Sequence, residues 1–166
     1  MNYLIAGLPG AGKSHLLRSL KSLKSRDRME SIKPMKLIDL DDYILAKLNK
    51  SQTIADFIKM SGEQAFRELE YMSLKDLLSK DGQVVALGGG ALTKKVLELE
   101  DNHNQIIWLD CSFEICLSRI KDDPARPLSF GLREESVYEL FESRAKLACD
   151  LPKKTYDQLL SYLGDL

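Results

Sequence analysis

The residues best placed to do chemistry are Lys13 and Ser14. They close the run Gly7-Leu8-Pro9-Gly10-Ala11-Gly12-Lys13-Ser14, which meets the G-x-x-x-x-G-K-[ST] pattern at every fixed position. Glycines let such a loop curl, so that successive backbone N–H groups point inward as an anion nest. A helix that starts at the loop adds about half a positive charge to the nest. Lys13 is then expected to reach the β- and γ-phosphates of a nucleotide, and the Ser14 hydroxyl to bind Mg²⁺. The bland alternative is a Gly-Pro-Gly turn ahead of an ordinary helix.

Other residues could complete a phosphoryl-transfer site. In Asp39-Leu40-Asp41-Asp42, strand alternation puts Asp39 and Asp41 on one side and Asp42 opposite. One carboxylate would then serve Mg²⁺ and another a substrate hydroxyl; an acid cluster favoured at a helix N-terminus is the competing explanation. Glu63, Arg67 and Glu70 share a helix face by their i, i+4 and i, i+3 spacing. They form either a surface ion-pair ladder or an arginine held so that its planar fork meets a ligand carboxylate. Gly88-Gly89-Gly90 follows an apolar strand, which fits close approach of backbone to a ligand or a flexible turn. Arg126, in a Pro- and Gly-punctuated loop over about 122–132, is a solvated side chain or one that closes over the transferring group.

Those residues need elements to hold them. Asn2–Ala6 reads as a buried strand, and Leu16, Leu17, Leu20 and Leu23 recur at helical spacing after the loop. Further strands are expected at Lys36–Asp39, Gln83–Leu87 and Ile106–Asp110. Ser51 or Thr53 caps a short helix, and a longer one runs from about Glu63 to Ser79 with Phe66, Leu69, Leu74, Leu77 and Leu78 inward. Helices capped by Thr93 and Ser112 follow, the second carrying Arg119 near its end. Glu134 to about Ala148 carries Arg144 near its end, and Leu159, Leu160 and Leu163 mark a last short helix. The segment Lys24–Lys36 reads as a basic surface loop.

Composition bounds the function classes. At 166 residues, 44% apolar and 30% charged, the chain is expected to be one globular domain. A net charge of −1 gives no bulk field to recruit nucleic acid or a membrane. No apolar run approaches the roughly 20 residues of a spanning helix, and no cleaved signal is readable before the first strand. Cys111, Cys116 and Cys149 are odd in number and lack C-x-x-C spacing, as expected of reduced thiols in a cytoplasmic protein.

In this order the motifs resemble the shikimate kinase family. The resemblance rests on the P-loop, on Asp39-Leu40-Asp41, on Gly62-Glu63-Gln64-Ala65-Phe66-Arg67 with Glu70, on Gly88–Gly90, and on Arg126-Pro127-Leu128 with Arg144. It implies a three-layer α/β/α P-loop kinase with a central parallel sheet of four or five strands and a small lid over about 122–132. It implies ATP and shikimate as substrates, Mg²⁺ as cofactor, 3-phosphoshikimate as product in aromatic amino acid biosynthesis, and a monomer. It assigns Gly10, Ala11, Gly12, Lys13, Ser14 and His15 to ATP, with Arg126 from the lid and Arg119 near the adenine. Ser14 and Asp39 go to the metal. Asp41, Arg67, Gly88, Gly89, Gly90 and Arg144 go to shikimate, with Lys13, Asp41 and Arg126 catalytic. Asp41 is the base or orienter for the attacking 3-hydroxyl, and the two arginines hold the carboxylate.

The chain also departs from the family pattern. His15 stands where Thr is usual, a position expected to be peripheral. The Lys24–Lys36 segment is longer than usual. Ala148 replaces a usual Tyr, and Cys149–Lys154 has no strand-like run, so the C-terminus is expected to be shortened, with the edge strand reduced or absent. The alternatives are a kinase of another small hydroxy substrate and a shikimate kinase-like nucleotide-binding protein without turnover.

Overall fold

A computed structural model describes residues 1–26, 35–48, 53–120 and 134–166. The segment expected to be a lid, with Arg126, as well as Ser51 and most of the basic Lys24–Lys36 segment, lies outside the described residues. The elements, in order, are β1 (Asn2–Ala6), α1 (Lys13–Arg26), β2 (Lys36–Asp39), α2 (Leu40–Lys47), α3 (Ile54–Ser61) and α4 (Glu63–Leu78). They continue as β3 (Gln83–Ala86), α5 (Lys94–Leu97), β4 (Asn104–Leu109), α6 (Phe113–Ile120), α7 (Glu134–Leu147), β5 (Lys153–Lys154) and α8 (Tyr156–Gly164).

The strands form one parallel sheet in the order β2-β3-β1-β4-β5. All five residues of β1 are buried, as a strand covered by helices on both faces requires. Leu4, Ile5, Ile106 and Ile107 are wholly inaccessible, and each such side chain contributes roughly 1.5–3 kcal/mol relative to exposure. The chain leaves β1 toward β2 in one direction and makes its later crossovers in the other. Right-handed connections therefore put α1 on one face and the later crossover helices on the opposite one. The crevice between such oppositely directed loops, at the carboxyl ends of the strands, is where open α/β sheets take ligands.

Side-chain caps set several helix starts. Thr53 caps α3 in a box with Asp56, and Thr155 caps α8 in a box with Gln158; Thr93 accepts from the Val96 N–H. On α4, Phe66, Leu74 and Leu77 are buried as expected, while Leu69 and Leu78 are half-buried. The fifth strand is present but reduced to two residues, Lys153 and Lys154, paired with Trp108 and Leu109. Pairing with β4, rather than any apolar pattern, makes this pair a strand.

Candidate functional site

The P-loop joins β1 to α1. Gly10 has φ +83°, and a Cβ there would lie 2.5 Å from the Cys116 carbonyl oxygen, so neither the backbone nor the space admits another residue. Lys13 is buried, and its ammonium donates to the carbonyls of Gly7 at 2.8 Å and Leu8 at 3.0 Å. The lysine is thus folded back over the mouth of its own loop. Arg119 reaches the loop from α6, donating from Nη1 to the Gly10 carbonyl at 2.9 Å.

Asp39 and Asp41 both line the cleft beside the P-loop, but not by strand alternation. The strand ends at Asp39 and Leu40 already begins α2. Asp39 is the N-cap: its Oδ1 accepts from the Asp41 N–H at 3.1 Å. Its Oδ2 accepts from the Ser14 hydroxyl at 2.6 Å. The acid-rich helix start and the ligand-facing carboxylates are therefore one feature, while Asp42 is exposed. The cap fixes the carboxylate so that it meets the serine. A hydroxyl and a carboxylate are hard oxygen donors that suit Mg²⁺, which keeps several waters and phosphate oxygens in its shell. Among the described residues no cluster of three or more His, Cys, Asp or Glu could hold a metal by itself.

Across β3 lies a second cluster. The Arg67 guanidinium is bridged by Glu70 Oε2 at 2.5 Å and Glu63 Oε1 at 2.9 Å. The ladder is no surface feature on its inner side, since the Glu70 side chain is 3% exposed. Burial pushes the Glu70 carboxyl up to about 7; Arg67 opposes the shift, Asp41 adds to it and Arg144 also opposes it. Burial and repulsion from Arg67 push Arg144 down to about 10, against the attraction of Glu63 and Glu70. Burial also works against the charge on Arg67, but Glu70 and Glu63 outweigh it and hold the guanidinium cationic. Two partly buried guanidiniums that repel each other make a site where an added carboxylate relieves the repulsion.

The glycine triplet joins this cluster to the P-loop side. A Cβ at Gly88 would lie 2.7 Å from Asp41 Oδ1 and 2.8 Å from Glu70 Oε1. One at Gly89 would lie 2.9 Å from the Pro9 ring, and one at Gly90 would overlap the Arg67 guanidinium. Absent side chains are what allow acid, guanidinium and loop to come so close.

The cleft, about 540 Å³, is lined by the P-loop, Asp39, Asp41, Gly88 and Gly89. It continues past Asp110, Cys111, Ile115 and Arg119 to His15 and Tyr156. His15, expected to be peripheral, lines it and is hydrogen-bonded through Nδ1 to the Tyr156 hydroxyl at 2.7 Å. Sequence reasoning missed Tyr156, because only the packing of α8 on α1 brings residues this far apart in the chain together. The burial of Glu70 was also missed, although its helical spacing from Arg67 was the signal. Arg126 lies outside the described residues.

A five-stranded parallel sheet with flanking helices, a P-loop after its central strand and an acidic pair where β2 meets α2 is an α/β P-loop kinase fold. The match to a family profile, described as shikimate kinase, spans residues 9–160, and the chain belongs to that family. A shikimate kinase of Staphylococcus aureus (strain MRSA252) is 29% identical over 164 residues, which cover 98% of this chain and 87% of that protein. The solved shikimate kinase of Aquifex aeolicus is 25% identical with a TM-score of 0.77, over 99% of this chain and 92% of that one. That of Acinetobacter baumannii, solved in complex with shikimate, is 26% identical with a TM-score of 0.79, over 98% and 89%.

Proposed function

We propose that the chain transfers the γ-phosphoryl group of ATP to the 3-hydroxyl of shikimate, giving 3-phosphoshikimate and ADP in aromatic amino acid biosynthesis. The observation that carries this reading is the convergence of Arg67, Arg144 and Glu70 with Asp41 across Gly88, beside a P-loop. Two guanidiniums suit the carboxylate at one end of a small polyol acid, and an aspartate suits its hydroxyls.

In this reading Asp41 accepts a hydrogen bond from the 3-hydroxyl, orients it and takes its proton as the new O–P bond forms. The bond from the γ-phosphorus to the bridging oxygen breaks, and the electron pair leaves with ADP. Gly10, Ala11, Gly12 and Ser14 supply backbone N–H groups to the phosphates, and Lys13 swings from its carbonyl partners to the β- and γ-oxygens. Ser14 and Asp39 would hold Mg²⁺, which when bound offsets charge on the phosphate oxygens. Gly88, Gly89 and Gly90 line the ring, Arg126 covers the phosphates, and Arg119 and His15 contribute to the nucleotide side. The enzyme is read as a cytoplasmic monomer that needs neither nucleic acid nor membrane. No helix among the described residues is long and apolar enough to cross a membrane, and Cys111, Cys116 and Cys149 are free thiols.

The test is shikimate-dependent ADP release by folded protein with Mg²⁺. Its absence sinks the proposal, and activity with a different hydroxy acid in a substrate panel redirects it. Arg67→Ala should raise the shikimate KM roughly 10- to 150-fold, the ~1.5–3 kcal/mol of a charged hydrogen bond, while ADP affinity survives. Equal loss of both affinities contradicts the role given to Arg67.

A further inference from the structure

Asp41 is carried by α2 and Arg67 by α4, so the reach between these two groups depends on how one helix rests on the other. The helices pack together, and the buried residues of α2 are Leu40 and Ile44. These lie one turn apart and form a single narrow stripe. Apolar contact has no directionality, so a helix resting on such a stripe is free to roll about it.

At 3.6 residues per turn, Asp41 falls on one flank of the stripe, and Tyr43 and Lys47 fall on the other. Both residues of the second flank are tied to α4. The Tyr43 hydroxyl donates to Asp76 Oδ2 at 2.6 Å, and the Lys47 ammonium donates to the same oxygen at 2.7 Å. That ammonium also lies 4.4 Å from the centre of the Tyr43 ring, so donors and ring act as one unit. Asp76 and Lys47 are exposed and Tyr43 is half-buried; an ion pair in such a place adds little to stability. What it supplies is direction, because a roll of α2 has to stretch both bonds to one oxygen. The opposite flank has no slack. A Cβ at Gly88 would lie 2.7 Å from Asp41 Oδ1 and 2.8 Å from Glu70 Oε1, so the carboxylates of α2 and α4 stand apart by little more than a bare backbone.

We propose that Asp76 is a positioning residue for phosphoryl transfer: by tying Tyr43 and Lys47 to α4 it stops α2 from rolling and holds Asp41 in place over Gly88. This rests on the phosphotransferase reading above. Asp76 acts from a distance, about 9 Å of helix rise beyond Glu70, and on the side of α2 away from Asp41.

Steady-state ADP release by Asp76→Ala, with a thermal unfolding curve to verify folding, tests it. Its kcat should fall roughly 3- to 10-fold, short of the about 10²-fold of a 1 Å misplacement because the apolar stripe remains. ADP affinity should stay within about twofold, since ground-state nucleotide binding does not involve α2 rolling. Tyr43→Phe keeps the ring and loses one bond, and should show a smaller loss in the same direction. The decisive measurement is a double-mutant cycle with Gly88→Ala. Once α2 can roll, Asp41 retreats from the added methyl, so the kcat loss on Gly88→Ala should be at least about threefold smaller in the Asp76→Ala background than in wild type. A residue that only stabilises the fold leaves the two losses equal. Should Asp76→Ala not fold, Tyr43→Phe takes its place in the cycle. Wild-type kcat in folded Asp76→Ala, or equal Gly88→Ala losses in the two backgrounds, overturns the proposal. Absence of shikimate-dependent ADP release by the unmutated protein overturns instead the phosphotransferase reading, and this proposal with it.

Discussion

Replacing Gly88 by alanine sets a methyl group 2.7 Å from Asp41 Oδ1 and 2.8 Å from Glu70 Oε1. Close carbon–oxygen contacts settle at about 3.3–3.6 Å, so each carboxylate must retreat by roughly 0.6 Å. Neither retreat is free. Glu70 is buried and bound to Arg67 at 2.5 Å, and Asp41 stands in the first turn of α2, whose cap is Asp39. Backbone strain does not enter, because Gly88 is not among the positive-φ glycines. A displacement on the order of 1 Å at a reacting group costs about 10²-fold, so Gly88→Ala should lower kcat by roughly 10- to 100-fold. The ADP dissociation constant should stay within about threefold, since the atoms nearest the added methyl belong to Asp41 and Glu70 and not to the P-loop. The assay is steady-state ADP release with shikimate and ATP varied separately, alongside a thermal unfolding curve to verify folding. Wild-type kcat in a folded Gly88→Ala protein would refute the claim that Asp41 acts at this position. Gly90→Ala supplies the contrast: its methyl meets the Arg67 guanidinium, so it should act chiefly on the shikimate KM.

Two further predictions concern the acids. Glu70, pushed up to about 7 chiefly by burial, is largely anionic above that pH and neutral below it; under the proposed function the anion would repel a substrate carboxylate held by Arg67 and Arg144. The shikimate KM should therefore fall as pH is lowered from about 8.5 to 6, and Glu70→Gln should flatten that dependence; a slope unchanged in Glu70→Gln rules out this origin. For Asp39, alanine removes both the cap and the partner of Ser14, costing about 1 kcal/mol or roughly 2–4 °C in Tm. Asparagine keeps the cap and loses the charge, so Asp39→Asn should unfold near the wild-type temperature yet need several-fold more Mg²⁺ for half-maximal activity. Equal Mg²⁺ requirement in Asp39→Asn and wild type contradicts the metal role.

The central strands were legible because β1, β3 and β4 are buried on both faces, so their apolar runs are nearly continuous. The P-loop was legible because phosphate binding constrains backbone and side chain at fixed spacing. Lys153 and Lys154 carry no such signal, and only pairing with Trp108 and Leu109 makes them a strand. Alternation brought Asp39 and Asp41 together for the wrong reason, since the chain turns into α2 at Leu40. Spacing linked Arg67 to Glu63 and Glu70 but could not tell which side of the ladder is buried. His15 and Tyr156 lie 141 positions apart, and no local pattern reports a contact at that range.

The position of β1 between β3 and β4 also governs how the chain must be born. Of the five strands of this sheet, the one synthesised first is the one that pairs with the third and fourth. At about 5–20 residues per second, the roughly 80 residues between β1 and β3 take some 4–16 s to synthesise. Through that interval an apolar strand and its glycine loop have no sheet to join. A nascent chain stalled before β3 should be captured by a chaperone that holds extended apolar segments, and one stalled after β4 released from it.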